Sequence, residues 1–161
     1  MLGTLTRSQI EHVLRSQTIG RIACCVDDEI YIVPVTYVCA KGYIYAHSKE
    51  GQKIRFMRRK PRVCFQVDAV ENMANWRSVV VWGTYEELKT ERDRKAGMKI
   101  IIDRLMPLIT SATAMPSHVH TEAPRMVEKP VKAVVYRIKI EKATGRFEKN
   151  PSDESNHYYH K

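Results

Sequence analysis

The sequence predicts a mainly β fold: a small antiparallel barrel of about six strands, closed or nearly closed, with helices beside it. Three observations predict it. Six short runs are rich in β-branched and aromatic residues, several with strict two-residue alternation. Polar or glycine-bearing turns separate them. Only three segments carry a one-sided apolar stripe at helical spacing.

The elements follow in order. Thr6-Arg7-Ser8-Gln9 reads as a capping box with Leu5 and Ile10 at the staple positions, and Ile10, Val13 and Leu14 form a stripe. This predicts a short helix lying on the barrel, ended by a break at Gly20. Gly20–Val26 is a first strand, Asp27-Asp28-Glu29 a turn, and Ile30–Val38 a second strand. Pro34 lacks a ladder donor, so it belongs at an edge, a bulge or a ligand-facing position. Ala40-Lys41-Gly42 turns the chain into a third strand, Tyr43–His47. Ser48–Arg59 is a short helix with Ile54 and Met57 inward, stopped by Pro61. Arg62–Asp68 places Val63, Phe65 and Val67 on one face, and Trp76–Tyr85 is a long strand. Thr90 caps a helix to about Met106, with Met98, Ile101, Ile102 and Leu105 as its stripe. Residues 110–130 read as irregular, and Lys132–Glu141 as a last alternating strand. Residues 1–149 are expected to form one domain and 150–161 a disordered tail; no repeat or linker divides the chain.

Composition narrows the class. A chain of 161 residues, 43% hydrophobic and 28% charged, is ordinary for one globular domain. No apolar run approaches the roughly 18 residues of a membrane helix, and the first residues do not read as a signal peptide. A cytoplasmic protein is expected. Cys24, Cys25, Cys39 and Cys64 lie in apolar, strand-like runs without a C-x-x-C pair, so buried, reduced thiols are expected and no metal site. The net charge of +9 fits either nucleic acid or an anionic cofactor. Lys49 to Arg62 holds seven basic residues against Glu50 alone, yet no aromatics interleave, which makes nucleic acid the weaker reading.

Three pieces carry chemistry. His47-Ser48-Lys49-Glu50-Gly51-Gln52-Lys53 joins a strand to a helix, whose free N–H groups can hold a phosphate; Ser48 adds a hydroxyl and Lys53 a full charge. A capped surface helix with solvated lysines would look the same. Asn75-Trp76-Arg77-Ser78 opens a strand with a guanidinium fork suited to phosphate or carboxylate, although a lone Trp is more often core. Pro34-Val35-Thr36 interrupts a strand and frees backbone groups that could match the donor–acceptor edge of a flavin.

In this order, G-R-I-A at Gly20–Ala23, Pro34-Val35, A-H-S-x-x-G-Q-K at Ala46–Lys53, K-P-R-V-C-F at Lys60–Phe65 and N-W-R-S-V at Asn75–Val79 followed by Gly83 resemble one family. The chain is similar, over about residues 4–148, to the nitroimidazole-resistance proteins of the pyridoxamine 5'-phosphate oxidase-like superfamily. The closing Tyr136-Arg137-Ile138 and Thr144-Gly145-Arg146 fit the same pattern. The resemblance implies an antiparallel FMN-binding split β-barrel that works as a homodimer, with the cofactor at the subunit interface. His47, Ser48, Gln52 and Lys53 would hold the ribityl phosphate side. Val33, Pro34, Val35 and Thr36 would line the isoalloxazine. Trp76, Arg77 and Ser78 would close the site, some from the partner subunit. The chain departs from the broader pattern at Gln52, where many members place an arginine.

The implied activity is flavin-dependent reduction of a small aromatic or nitro compound by a reduced nicotinamide. No G-x-G-x-x-G fingerprint is present, so the donor would dock against the flavin itself. Flavin storage without turnover is the second reading. FAD, a deazaflavin or haem stay open as cofactors. His47 is the one candidate catalytic group, set against a role of hydrogen-bonding the cofactor only, because no second acid or base accompanies it. The substrate-phosphate signature of true pyridoxamine-phosphate oxidases is not evident.

Overall fold

The computed structural model describes residues 1–108 and 133–150. Its elements are β1 (Leu2–Thr4), α1 (Arg7–Ser16), β2 (Ile19–Val26), β3 (Glu29–Thr36), β4 (Val38–Ala40), β5 (Tyr43–Ser48), α2 (Gln52–Arg59), β6 (Arg62–Asn72), β7 (Asn75–Glu87), α3 (Glu91–Leu105) and β8 (Val134–Glu148). The irregular segment expected at 110–130 and the tail expected at 150–161, apart from Asn150, lie outside the described residues.

All strands belong to one antiparallel sheet, ordered β3-β2-β6-β7-β8-β5-β4, with β1 added against the end of β8. The six expected strands are all present, and β1 and β4 are additions of three residues each. The last strand runs to Glu148, seven residues beyond its expected end.

The two ends of the strand order, β3 and β4, are consecutive in the chain and separated only by Tyr37. A sheet whose edges are joined by one residue must curl round on itself. Tyr37 fixes that corner: its N–H donates to the Thr18 carbonyl (2.8 Å) and its hydroxyl to the Leu14 carbonyl (2.9 Å). Its ring meets Phe65 edge-on at 4.8 Å. No ladder joins β3 to β4 or β5 among the described residues, so the sheet is not closed into a barrel.

Strand alternation fills the concave side. Ile22 and Cys24, Val63, Phe65 and Val67, Val79 and Val81, and Tyr136 and Ile138 form one core. Val13 and Leu14 of α1 and Ile54 and Met57 of α2 add to it, the last two fully buried. Gly20 lies inside β2 and does not break the chain there: a Cβ would overlap the Phe65 ring. α3 packs outside, where Ile101 meets Val38, Tyr45 and Val135.

The cysteines depart from the expectation of burial, and Cys39 and Cys64 are only half-buried. Cys24 is buried, but Cys25 is exposed. Neighbours in a strand point to opposite faces, so Cys25 cannot share the core with Cys24.

Candidate functional site at the junction of β5 and α2

β5 ends at Ser48, and α2 begins after three intervening residues. The three α-helices start differently. Thr6 and Gln9 close a capping box on α1, and the Thr90 hydroxyl accepts the Asp93 N–H on α3. Gly51 precedes α2 in extended backbone and supplies no side-chain cap. The first N–H groups of α2 therefore form a positive helix end without a side-chain acceptor.

Lys53 stands in that first turn. It is half-buried, and burial pulls its ammonium below the usual lysine range, with the nearby Cys24 sulfur acting the other way. No carboxylate pairs with it among the described residues. A cation losing water without gaining an anion is costly unless a ligand supplies the charge. Gln52 is differently placed: its amide donates to Glu29 Oε1 at 2.9 Å and ties α2 to the start of β3. Phe56 meets Tyr31 at 6.0 Å between ring centres, and Cys24 Sγ donates to the Tyr31 carbonyl at 3.7 Å. Gln52 and Lys53 are thus brought beside Glu29 and Cys24 at the β2–β3 edge of the sheet, while the Ser48 hydroxyl donates to the Lys49 carbonyl at 3.0 Å.

Val33–Thr36 continue down that edge. Val33 and Val35 point inward, while Pro34 and Thr36 are exposed on the outer face. Four alternating side chains cannot line one flat ring from one side. What they share is the backbone edge of β3, which pairs with no further strand among the described residues, and Pro34 sits on an edge strand as its missing donor requires. His47 shares its face of β5 with Tyr43 and Tyr45, the latter packed beneath α3, and Ser48 lies on the opposite face.

Trp76, Arg77 and Ser78 open β7, whereas α2 is anchored at Glu87 near its other end. The eleven intervening steps of extended chain span roughly 35 Å. Within one chain these residues do not join the β5–α2 junction. Trp76 Nε1 donates to Glu148 Oε2 at 3.0 Å, and Trp76 and Arg77 line a cavity of about 380 Å³ with Phe147 and Met1. Ser78 shares the outer face with Pro34 through a polar row: Gln66 Nε2 donates to Ser78 Oγ, and Arg21 donates to Gln66 and Asp68. Around that row Ile19, Ile30 and Ile32 are 60–70% exposed.

Two groups at the site escaped sequence reasoning. Arg21 was legible only as part of a motif. Arg58 counted merely as one more cation of the basic run. It grips Glu87 with two hydrogen bonds (2.7 and 2.9 Å) and the loop residue Glu50 with a third (2.6 Å). Tyr85 donates to the same Glu87. The Glu87 carboxyl is consequently held below the usual range, chiefly by Arg58. This clamp fixes both the loop and α2 against β7. Arg59 pairs with Asp27 and Arg62 with Glu141, so three of the seven cations are engaged by acids. That leaves little continuous charge for a nucleic-acid backbone. No cluster of three metal-ligating side chains occurs among the described residues, and no described helix is long and apolar enough to cross a membrane.

Comparison with known proteins bears on the same region. The family model described as pyridoxamine 5'-phosphate oxidase matches residues 6–147. An uncharacterized protein of Rhizobium meliloti (strain 1021) is 40% identical over 84 residues, 52% of this chain. The chain spans only 56% of that relative's length. A crystal structure of an FAD-binding protein from Mesorhizobium loti is 33% identical with a TM-score of 0.73, covering 93% of this chain and 98% of that one. A candidate 5-nitroimidazole antibiotic resistance protein from Bacteroides thetaiotaomicron is 17% identical with a TM-score of 0.65, covering 91% and 89%, and shares the fold.

Proposed function

The chain belongs to the pyridoxamine 5'-phosphate oxidase family, and from that premise we propose that it is a homodimeric flavoprotein that binds FMN and reduces a small aromatic or nitro compound. The observation that carries the reading is Lys53: half-buried, without a carboxylate partner among the described residues, in the first turn of an uncapped helix. The donor set fits the phosphate of a flavin nucleotide: a helix N-terminus, an ammonium and the Ser48 hydroxyl. The backbone edge of β3 fits the polar rim of the flavin ring, and Val33–Thr36 would lie along it. The FAD-binding name of the Mesorhizobium loti relative supports a flavin, and FAD is the competing form.

Bound flavin supplies hydride or electron transfer between a reduced nicotinamide and the acceptor. The chain's own residues bind and orient it. Lys53 neutralises the phosphate, and Arg58 holds the loop that presents it. Gln52 is engaged by Glu29 and contributes less than an arginine would. His47 serves as a neighbour of the phosphate loop rather than as an acid or base. Trp76, Arg77 and Ser78 lie too far along β7 to serve their own chain's α2, which favours their closing the partner subunit's site. The exposed Ile19, Ile30 and Ile32 favour a second copy on that outer face.

The test is the absorbance spectrum of the purified protein before and after adding FMN or FAD, followed by anaerobic NADPH. A bound flavin bleached by NADPH is the expected result. Flavin that binds but resists NADPH and NADH would leave storage as the function. A Soret band would replace flavin with haem, and failure to take up either nucleotide would overturn the reading.

A further inference from the structure

At the other end of β5 from the phosphate loop, about 20 Å away along the strand, α1 leans across β8 and leaves a cavity of about 580 Å³. Its floor is apolar, made by Ile10, Leu14, Ile140 and Ala143. The opening has structural causes. β8 bulges at Glu141, which pairs with no β7 residue while Ile140 faces Gly83 and Lys142 faces Trp82. Gly83 permits that approach, since a Cβ would overlap the Lys139 carbonyl oxygen. The turn at Lys41 and Gly42 is held to the bulge by the Ile140 N–H donating to the Gly42 carbonyl at 3.1 Å.

The charges on the rim are unequal in their engagement. Glu141 accepts the Thr84 hydroxyl at 2.6 Å and pairs with Arg62 at 3.4 Å. Glu11 pairs with Arg7 at 3.5 Å. Arg15 and Lys41 have no carboxylate partner among the described residues. Both also line an adjoining cavity of about 390 Å³, where they are joined by Arg104 and by no acid. The result is an apolar floor rimmed by four cations and two acids: Arg7 answers Glu11, Lys142 lies over the Trp82 ring at 5.2 Å, and Arg15 and Lys41 are the two cations left without an acid among the described residues. The volume lies within the range of small-ligand pockets, roughly 300–1,000 Å³.

We propose that this cavity is a second ligand site, taking a small organic acid whose carboxylate meets Arg15 and Lys41 and whose apolar body lies on Ile10, Leu14 and Ile140. The site is built from α1, the β4–β5 turn and β8, and does not depend on flavin binding at α2.

The probe is 2-naphthoate, titrated calorimetrically into the purified protein beside neutral 2-naphthamide. One 2-naphthoate should bind per chain, and the amide at least tenfold more weakly, the order expected for a hydrogen bond to charge (about 1.5–3 kcal/mol). The double variant Arg15→Gln, Lys41→Asn should bind 2-naphthoate at least tenfold more weakly. Cys39 lines both cavities and reports occupancy: 2-naphthoate should slow its alkylation, read by peptide mass, and leave the exposed Cys25 unchanged. No saturable binding, equal affinity for the amide, or indifference to the double variant would overturn the proposal. So would competition with FMN, which would place the acid in the flavin site. A protein that takes 2-naphthoate but no flavin would sink the flavin reading and leave this one standing.

Discussion

Lys53 concentrates the residue-scale argument. Its half-burial is unfavourable in the free protein and is relieved by a phosphate, so its charge is worth more to the ligand than that of an exposed lysine. Because burial lowers its pKa, FMN affinity should fall as pH rises through a value below the ordinary 10.5. A titration across alkaline pH checks this, and a flat profile would contradict it. Glu87 works in the opposite sense. Its folded pKa is depressed, so its stabilising pair with Arg58 is complete above the ordinary carboxylate value and is lost as pH falls through the lowered one. The stability gap between the wild type and Glu87→Gln should therefore close in acid, below about 4.5, as thermal unfolding against pH would show. Tyr136 is a third case: its hydroxyl is buried without a partner among the described residues. Tyr136→Phe should keep or raise the unfolding midpoint, and a loss above about 1 kcal/mol would reveal a hidden partner such as buried water. The sequence carried Lys53 through its motif. It could not carry Arg58, whose partner Glu87 is 29 residues away. Pairing across that distance exists only once β6 and β7 have formed.

At the scale of elements, period and caps were the legible signals. The Thr6–Gln9 box and the Thr90 cap occur where their spacing places them. The alternation of Val63, Phe65 and Val67 gives the buried face of β6. β1 and β4 escaped because three residues cannot display a period. The bulge at Glu141 escaped because it depends on how β7 and β8 meet, not on β8 alone. α2 combines both kinds of information. Its stripe of Ile54 and Met57 was visible, whereas its lack of a cap gains meaning only beside the capped α1 and α3. Both side chains are fully buried, so Met57→Ala should cost about 2–5 kcal/mol in urea unfolding. It should also weaken flavin binding by loosening the helix that presents Lys53. A cost below about 1 kcal/mol would show that α2 contributes little to the core.

For the whole molecule, the curled sheet explains why the site lies on one edge. Joining β3 to β4 through Tyr37 brings the two sheet edges round, and the split between them places β3 beside the β5–α2 loop. The outer face carries the exposed isoleucines and the polar row from Arg21 through Gln66 to Ser78, with Trp76 further along β7. A second copy there would unite Trp76, at one end of β7, with an α2 that is anchored at the other. Ile32→Asp should shift sedimentation from dimer to monomer and reduce flavin retention together; a dimer that survives the charge would move the interface elsewhere. The measurement that bears most directly on the central claim is an FMN titration of the wild type and Lys53→Met, followed by flavin fluorescence. Saturable binding of one FMN per chain, weakened roughly 10- to 100-fold in the variant, is the predicted result for loss of one charge-assisted contact. Equal affinity in the two proteins, with the variant folded, would remove the phosphate from α2 and contradict the assignment.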